Sequence, residues 1–257
     1  MKKCAVAIIL FLCLFLMNLP ALGQDTVMQV STIDALVAGL YDGTMSCGRL
    51  LGYGDLGIGT FDRLEGEMIV LDGTVYQVKE DGRVYTPDLN MKTPFASVCR
   101  FKADDTIALK KGMRFDELER MLDTVISNKN LFYAIKITGT FTYMKTRSVP
   151  AQEKPYPPLA EVTKDQRVFE MKNISGTIVG FRCPPYVKGI NVPGYHLHFI
   201  SGDHQRGGHI LDLETGTGIC AIDRCNRFFL VLPTEGDAFR GVDLSKDRTK
   251  ELYKIEK

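Results

Sequence analysis

The chain has 257 residues, 45% of them apolar and 25% charged, a balance that supports a packed core and excludes a disordered chain. Its 32 basic residues meet 31 acidic ones with no long basic run, so nucleic acid is not an expected partner. The 24 glycines and 11 prolines imply many turns and hence a strand-rich fold.

Residues 1–23 read as a secretory signal: Lys2 and Lys3 precede an apolar run over 5–16, and Ala21-Leu22-Gly23 gives a small–x–small cleavage pattern before Gln24. The run is shorter than the ~20 residues of a membrane span, and no Cys follows the cleavage point. Cleavage and export, to periplasm or exterior, are therefore expected rather than a membrane or lipid anchor. No other stretch is apolar enough to span a bilayer. Cys47, Cys99, Cys183, Cys220 and Cys225 remain after cleavage, an odd set with irregular spacing and no disulfide framework. Cys220 and Cys225 flank a short turn and are the candidates for a pair, although small apolar core residues is the favoured reading.

Thr32, with Ser31, can cap a helix over 33–41. Strands are expected at 67–71, 74–79 and 83–86, divided by the hairpin turns Asp72-Gly73 and Asp81-Gly82. Residues 95–101 and 106–109 continue that sheet. Phe115, Leu118, Met121, Leu122 and Ile126 form one stripe of a helix over 114–127. Leu131, Tyr133, Ile135, Ile137 and Phe141 alternate along a strand over 131–143. The proline-rich connection at 153–158 marks the expected boundary between two sheet-bearing halves, an N-terminal α+β domain (24–150) and a β-rich, zinc-binding C-terminal domain with its tail (151–257). Strands follow at 167–171, 176–181, 195–200, 209–213, 218–222 and 228–232, and the tail over 246–256 suits a short helix. The class is α+β, with mostly antiparallel or mixed strands and a few segregated helices.

Gly52, Gly54 and Gly57 satisfy a Gly-x-Gly-x-x-Gly spacing. A dinucleotide fingerprint must follow a strand and open a helix, whereas here a helix precedes and a strand follows. The glycines are read as backbone bends.

All four histidines fall within 196–209. On a strand, His196 and His198 share a face. A turn near Asp203 returns His209 opposite His198, at the ~4.5–5.5 Å Cβ spacing of cross-strand neighbours. Three imidazoles suit tetrahedral zinc with a fourth position left for water or substrate. His204 sits in the loop and reads as solvated; Asp203 could add a carboxylate, but its place at the turn argues against it.

Several ordered stretches carry a family resemblance: Tyr53-Gly54-Asp55-Leu56-Gly57-Ile58-Gly59-Thr60-Phe61, Leu64-Glu65-Gly66-Glu67-Met68-Ile69, Asn130-Leu131-Phe132-Tyr133-Ala134-Ile135, Thr146-Arg147-Ser148-Val149-Pro150, Gln152-Glu153-Lys154-Pro155-Tyr156, Gly176-Thr177-Ile178-Val179-Gly180-Phe181, Gly194-Tyr195-His196-Leu197-His198-Phe199-Ile200 and Gly207-Gly208-His209. From about residue 30 to 256 the chain resembles alpha-acetolactate decarboxylase. The resemblance implies a two-domain α+β fold, a zinc ion on His196, His198 and His209, a homodimer, and conversion of 2-acetolactate to acetoin and carbon dioxide. It implies catalytic roles for Glu67, Arg147 and a tail glutamate, chosen as Glu256 over Glu251, and a substrate contact at Thr60.

The chemistry is consistent with those residue types. Loss of carbon dioxide leaves an electron pair that the neighbouring ketone accepts, giving an enediolate. Zinc serves as the Lewis acid, so no organic cofactor is required. A guanidinium offers a forked donor for the carboxylate and is a poor acid, so Glu67 or Glu256 is expected to assist proton delivery while Arg147 holds the substrate; the resemblance leaves the opposite assignment open. Two rivals share the histidines: a cupin-type metal-dependent oxygenase, and a binding protein whose structural zinc is closed by Cys220 or Asp203.

Overall fold

The computed structural model describes residues 23–234 and 237–256, so the expected signal segment, except Gly23, lies outside the described residues. The chain opens with β1 (Thr26–Val30), α1 (Ile33–Val37), β2 (Met45–Ser46), α2 (Cys47–Leu51), β3 (Leu56–Thr60), β4 (Glu67–Leu71), β5 (Thr74–Val78), β6 (Val84–Tyr85), β7 (Lys92–Thr93) and β8 (Ala96–Cys99). It continues with β9 (Asp105–Ala108), α3 (Phe115–Val125), β10 (Phe132–Ser148), α4 (Leu159–Val162), β11 (Arg167–Cys183), β12 (Gly194–Ser201), β13 (Gly207–Cys225), β14 (Arg227–Val231), α5 (Asp237–Gly241) and α6 (Thr249–Glu256).

The fold is α+β. A seven-stranded sheet runs β14-β1-β8-β3-β4-β5-β6, and a five-stranded sheet runs β10-β11-β12-β13-β9. All pairings in them are antiparallel except β1 with β14. β10 also pairs with β13, so the four strands β10 to β13 close into a ring of pairings. The sheets are interleaved along the sequence. β9 and β10 precede the proline-rich connection yet belong to the five-stranded sheet, whereas β14 follows it and joins the seven-stranded one. Residues 153–158 thus link two strands of one sheet, and the sheets do not divide at residue 150 as expected. The reason is pairing: β10, before the connection, pairs along nearly its whole length with β11 and β13, which follow it, so one sheet continues across residue 150.

Burial follows the pleat. Val27, Leu56, Ile58 and Ile69 of one sheet meet Ala134, Val179, Phe181 and Ile200 of the other, forming the inter-sheet core. On alternate positions Ile135, Ile137, Phe141, Leu197 and Phe199 face a second core, covered by Leu118 and Leu122 of α3. Helix α3 starts where the Arg114 backbone N–H donates to the Glu117 carboxylate at 2.9 Å, which occupies one of the amide groups a helix start leaves unpaired. Helix α1 begins at Thr32, whose hydroxyl accepts from the Ala35 N–H at 3.2 Å. It ends at Val37, short of residue 41, and Gly39 at φ +96° turns the chain away. Helices α1, α4 and α6 share a smaller core with Leu64, Phe95 and Val149.

All five described cysteines are free and buried. Cys220 and Cys225 are not a pair: five positions apart on β13, they face opposite sides, Cys220 under α3 and Cys225 between the sheets. The glycine-rich segment leaves α2 and enters β3. A Cβ on Gly59 would run into the Phe95 carbonyl oxygen and Ala96, so β3 and β8 approach there only because the side chain is missing.

Leu122→Ala removes a fully buried side chain from the core beneath α3. Urea unfolding should show a loss of about 2–5 kcal/mol.

Candidate metal and active site

His196 and His198 stand two positions apart on β12 and point to the inter-sheet face, because Leu197 and Phe199 fill the opposite core. The loop after β12 turns through Asp203, whose carboxylate accepts from the Ser201 hydroxyl and the Gln205 N–H. The chain returns as β13 with His209 directly paired to His198. The three rings lie with centroids 5.0–5.4 Å apart, and one nitrogen from each falls within 4.8 Å of the other two. His204 remains exposed in the loop, its ring edge-on to Tyr76.

The seven-stranded sheet supplies the opposite wall. β4 presents Glu67 and, through its backbone, the Met68 carbonyl, which lies 2.9 Å from His198 Nδ1. That contact gives Nδ1 the proton and leaves Nε2 as the lone-pair nitrogen. Glu67 Oε2 stands 3.6 Å from His198 Nε2. Thr60 sits opposite Glu67 in the β3–β4 register, and its hydroxyl donates to the Gly66 carbonyl at 2.7 Å. Arg147, paired with His209 across β10 and β13, donates from Nη1 to Glu67 Oε1 at 3.2 Å and from Nη2 to the Ile255 carbonyl at 3.4 Å. The tail closes the site through α6: Glu256 Oε2 is 3.8 Å from both His196 Nε2 and His209 Nε2. Glu251 is exposed on the same helix and does not enter.

These groups surround a cavity of about 40 Å³, room for roughly three waters. Its polar lining is Thr60, Glu67, Arg147, His196, His198 and Glu256. Its apolar wall, which includes Ile33, Leu36, Leu64, Phe95 and Leu159, was not identifiable as part of a site from sequence. Ile33 and Leu36 fall within the expected helix over 33–41 and Phe95 within an expected strand, and neither pattern points to a site. The Met68 carbonyl has no sequence signature, because any residue supplies one.

Burial dominates the electrostatics. It pushes His196 down to about 3, helped by the Arg147 cation. His198 and His209 are held well below the usual imidazole range, first by burial, then by neighbouring imidazoles and Arg147. All three rings are therefore neutral, the form that ligates metals. Burial pushes Glu67 up to about 7 and the Glu256 charge adds to this, while Arg147 opposes it.

The donor set fits a divalent ion. His198 Nε2 and His209 Nε2 are buried with no hydrogen-bond partner, and such nitrogens are costly unless something occupies them. Neither rival closing ligand is near: Asp203 is exposed at its turn, and Cys220 lies in the core under α3.

The alpha-acetolactate decarboxylase family model matches residues 27–246. The chain belongs to this family. An alpha-acetolactate decarboxylase of Methanosarcina mazei is 52% identical over 234 residues, covering 91% of this chain and 81% of that one. One from Methylococcus capsulatus is 40% identical over 230 residues, covering 90% and 88%. The crystal structure of the Bacillus subtilis alpha-acetolactate decarboxylase superposes with a TM-score of 0.88 at 38% identity, covering 90% of this chain and 99% of that one. Like its family, this chain is a carboxy-lyase acting on a small molecule, acetolactate.

The Arg147–Glu67 pair is almost fully enclosed, with side chains 6% and 8% exposed. Arg147→Met leaves Glu67 either to ionise unpaired or to take up a proton, and strands the Ile255 carbonyl. The expected loss is about 3–5 kcal/mol in urea unfolding, with part of it recovered when Glu67→Gln is added. A single variant as stable as the parent would refute this account of the pair.

Proposed function

We propose that decarboxylation of 2-acetolactate to acetoin and carbon dioxide takes place in this cavity with zinc held by His196, His198 and His209. The observation that carries the reading is the convergence of three neutral, buried imidazoles, two with unpartnered Nε2 atoms, beside two carboxylates and a guanidinium. When bound, zinc supplies a Lewis acid for the ketone and hydroxyl oxygens of the substrate.

The chain's own residues do the rest. Met68 fixes the His198 tautomer through its carbonyl, so the ring presents Nε2 to the cavity. Arg147 binds the substrate carboxylate: it lines the cavity, and its Nε–H is buried without an acceptor. Loss of carbon dioxide leaves an electron pair on the former carboxylate-bearing carbon, and conjugation with the ketone turns it into an enediolate. Glu67 and Glu256 are the two acids placed to return a proton to that carbon. Because Arg147 clamps Glu67 against β4 while Glu256 comes from α6, the two acids stand on different walls, and delivery from one wall gives a single product hand. Thr60 and the apolar wall shape the space for the methyl groups and keep bulk water out. The fit is to a small 2-hydroxy-3-oxo acid, and the near-neutral charge favours such a substrate over nucleic acid.

We propose further, from the signal-like pattern of residues 1–23 and from the family resemblance, that the working enzyme is an exported homodimer after cleavage of that segment. N-terminal sequencing of secreted protein should begin at Gln24, and sedimentation should give twice the mature mass.

His198→Ala should lose bound zinc and acetoin formation together, as should chelator treatment of the parent. Glu67→Gln should retain zinc and fold while kcat drops about 10²–10⁴-fold. Full activity in Glu67→Gln would remove that glutamate from the proton path, and full activity after exhaustive chelation would remove the metal from the reaction.

A further inference from the structure

A second cluster of soft donors lies at the other end of β10 and β13 from the histidines. There Cys225 is the register partner of Phe132, whereas His209 is the partner of Arg147. Asp223 and Cys225 are two apart on β13 and share a face. Cys99, the last residue of β8, meets them from the seven-stranded sheet. The two sulfur atoms and one Asp223 carboxylate oxygen all lie within 4.8 Å of one another. Donor atoms on one tetrahedral zinc stand about 3.3–3.8 Å apart, given bond lengths of about 2.0–2.3 Å. A small inward shift would bring these three to that spacing.

The cluster holds a buried carboxylate oxygen that has no partner. Asp223 is 1% exposed, and only its Oδ2 has a partner, the Lys102 N–H at 3.0 Å. Its Oδ1 is buried without any. Asp25, Asp55 and Asp104 face it and add negative charge; burial first, and then these neighbours, push Asp223 up to about 6. The nearest arginine along the strand, Arg224, pairs outward with Asp105 at 3.7 Å. A disulfide between Cys99 and Cys225 would leave the Asp223 oxygen without a partner, whereas a cation held by the two sulfurs would take that oxygen as a ligand.

We propose that Cys99, Asp223 and Cys225 bind a borderline-soft divalent cation of the zinc class, which ties the two sheets together away from the reaction cavity. Thiolate sulfur with one carboxylate selects such an ion over magnesium or calcium. On binding, each thiol gives its proton to solvent and the sulfur lone pair goes to the metal; no electron is transferred and no oxidant is needed. Cys183, also buried between the sheets, stands outside the donor set.

Cobalt(II) chloride titrated into the full chain provides the test, because sulfur-to-cobalt charge-transfer absorption reports thiolate ligation and a three-histidine site gives none. The band should saturate by two equivalents in the parent, where the histidines also take cobalt, and at one equivalent in His198→Ala. It should vanish in Cys225→Ser and in Cys99→Ser, and need at least tenfold more cobalt in Asp223→Asn. Zinc should raise the Tm of His198→Ala but not of His198→Ala with Cys225→Ser. Absence of the band in the parent overturns the proposal, whether alkylation of the denatured chain then finds Cys99 and Cys225 as free thiols or finds them joined as a disulfide. A band that survives both cysteine variants overturns it as well.

Discussion

The buried ion pair between Arg147 and Glu67 holds the site in place. It crosses from the five-stranded sheet to the seven-stranded one, in surroundings where an isolated charge would be costly. Glu67 has one oxygen on Arg147 and the other near His198, and Arg147 uses a further nitrogen to hold the Ile255 carbonyl. One guanidinium thereby sets the relative position of three elements: β4, the histidine strands and α6. Its charge also helps to keep the imidazoles deprotonated. The pair costs desolvation, and what it gives in return is a fixed orientation of polar groups around a space of about 40 Å³.

Much of that site could be read from the residues alone, for geometric reasons. Side-chain parity on a strand forces His196 and His198 to one face, and the short loop around Asp203 determines that His209 meets His198. Those are local facts, and the observed register agrees with them. The roles of Glu67, Arg147 and Glu256 came from resemblance, because a lone glutamate at the start of a strand looks like any exposed residue. Only the folded chain brings these three residues, separated by 80 and 109 positions, beside the imidazoles.

The assignment of strands to sheets was less legible. Asp-Gly turns located β4 and β5 and apolar alternation located β10, each to within about five residues. Alternation did not show that the segments at 167–171 and 176–181 are one strand, because the polar run Lys172-Asn173 between them resembles a turn, and Asn173 does take a left-handed φ of +51° without ending the pairing. Nor could it place β9 or β14, whose pairing depends on distant partners. The favoured reading of Cys220 and Cys225 as core residues agrees with the structure, but sequence proximity gave no sign that the Cys225 sulfur faces Cys99 of the other sheet.

Helix α6 joins the site to the helical core. Its last turn supplies Glu256, the carbonyl that receives Arg147, and Leu252 and Ile255 of the helical core. Any shift of that last turn therefore moves a cavity-lining glutamate, the acceptor of Arg147 and part of the helical core together. β1 and β14, at the far edge of the seven-stranded sheet, contribute none of the described residues that line the cavity.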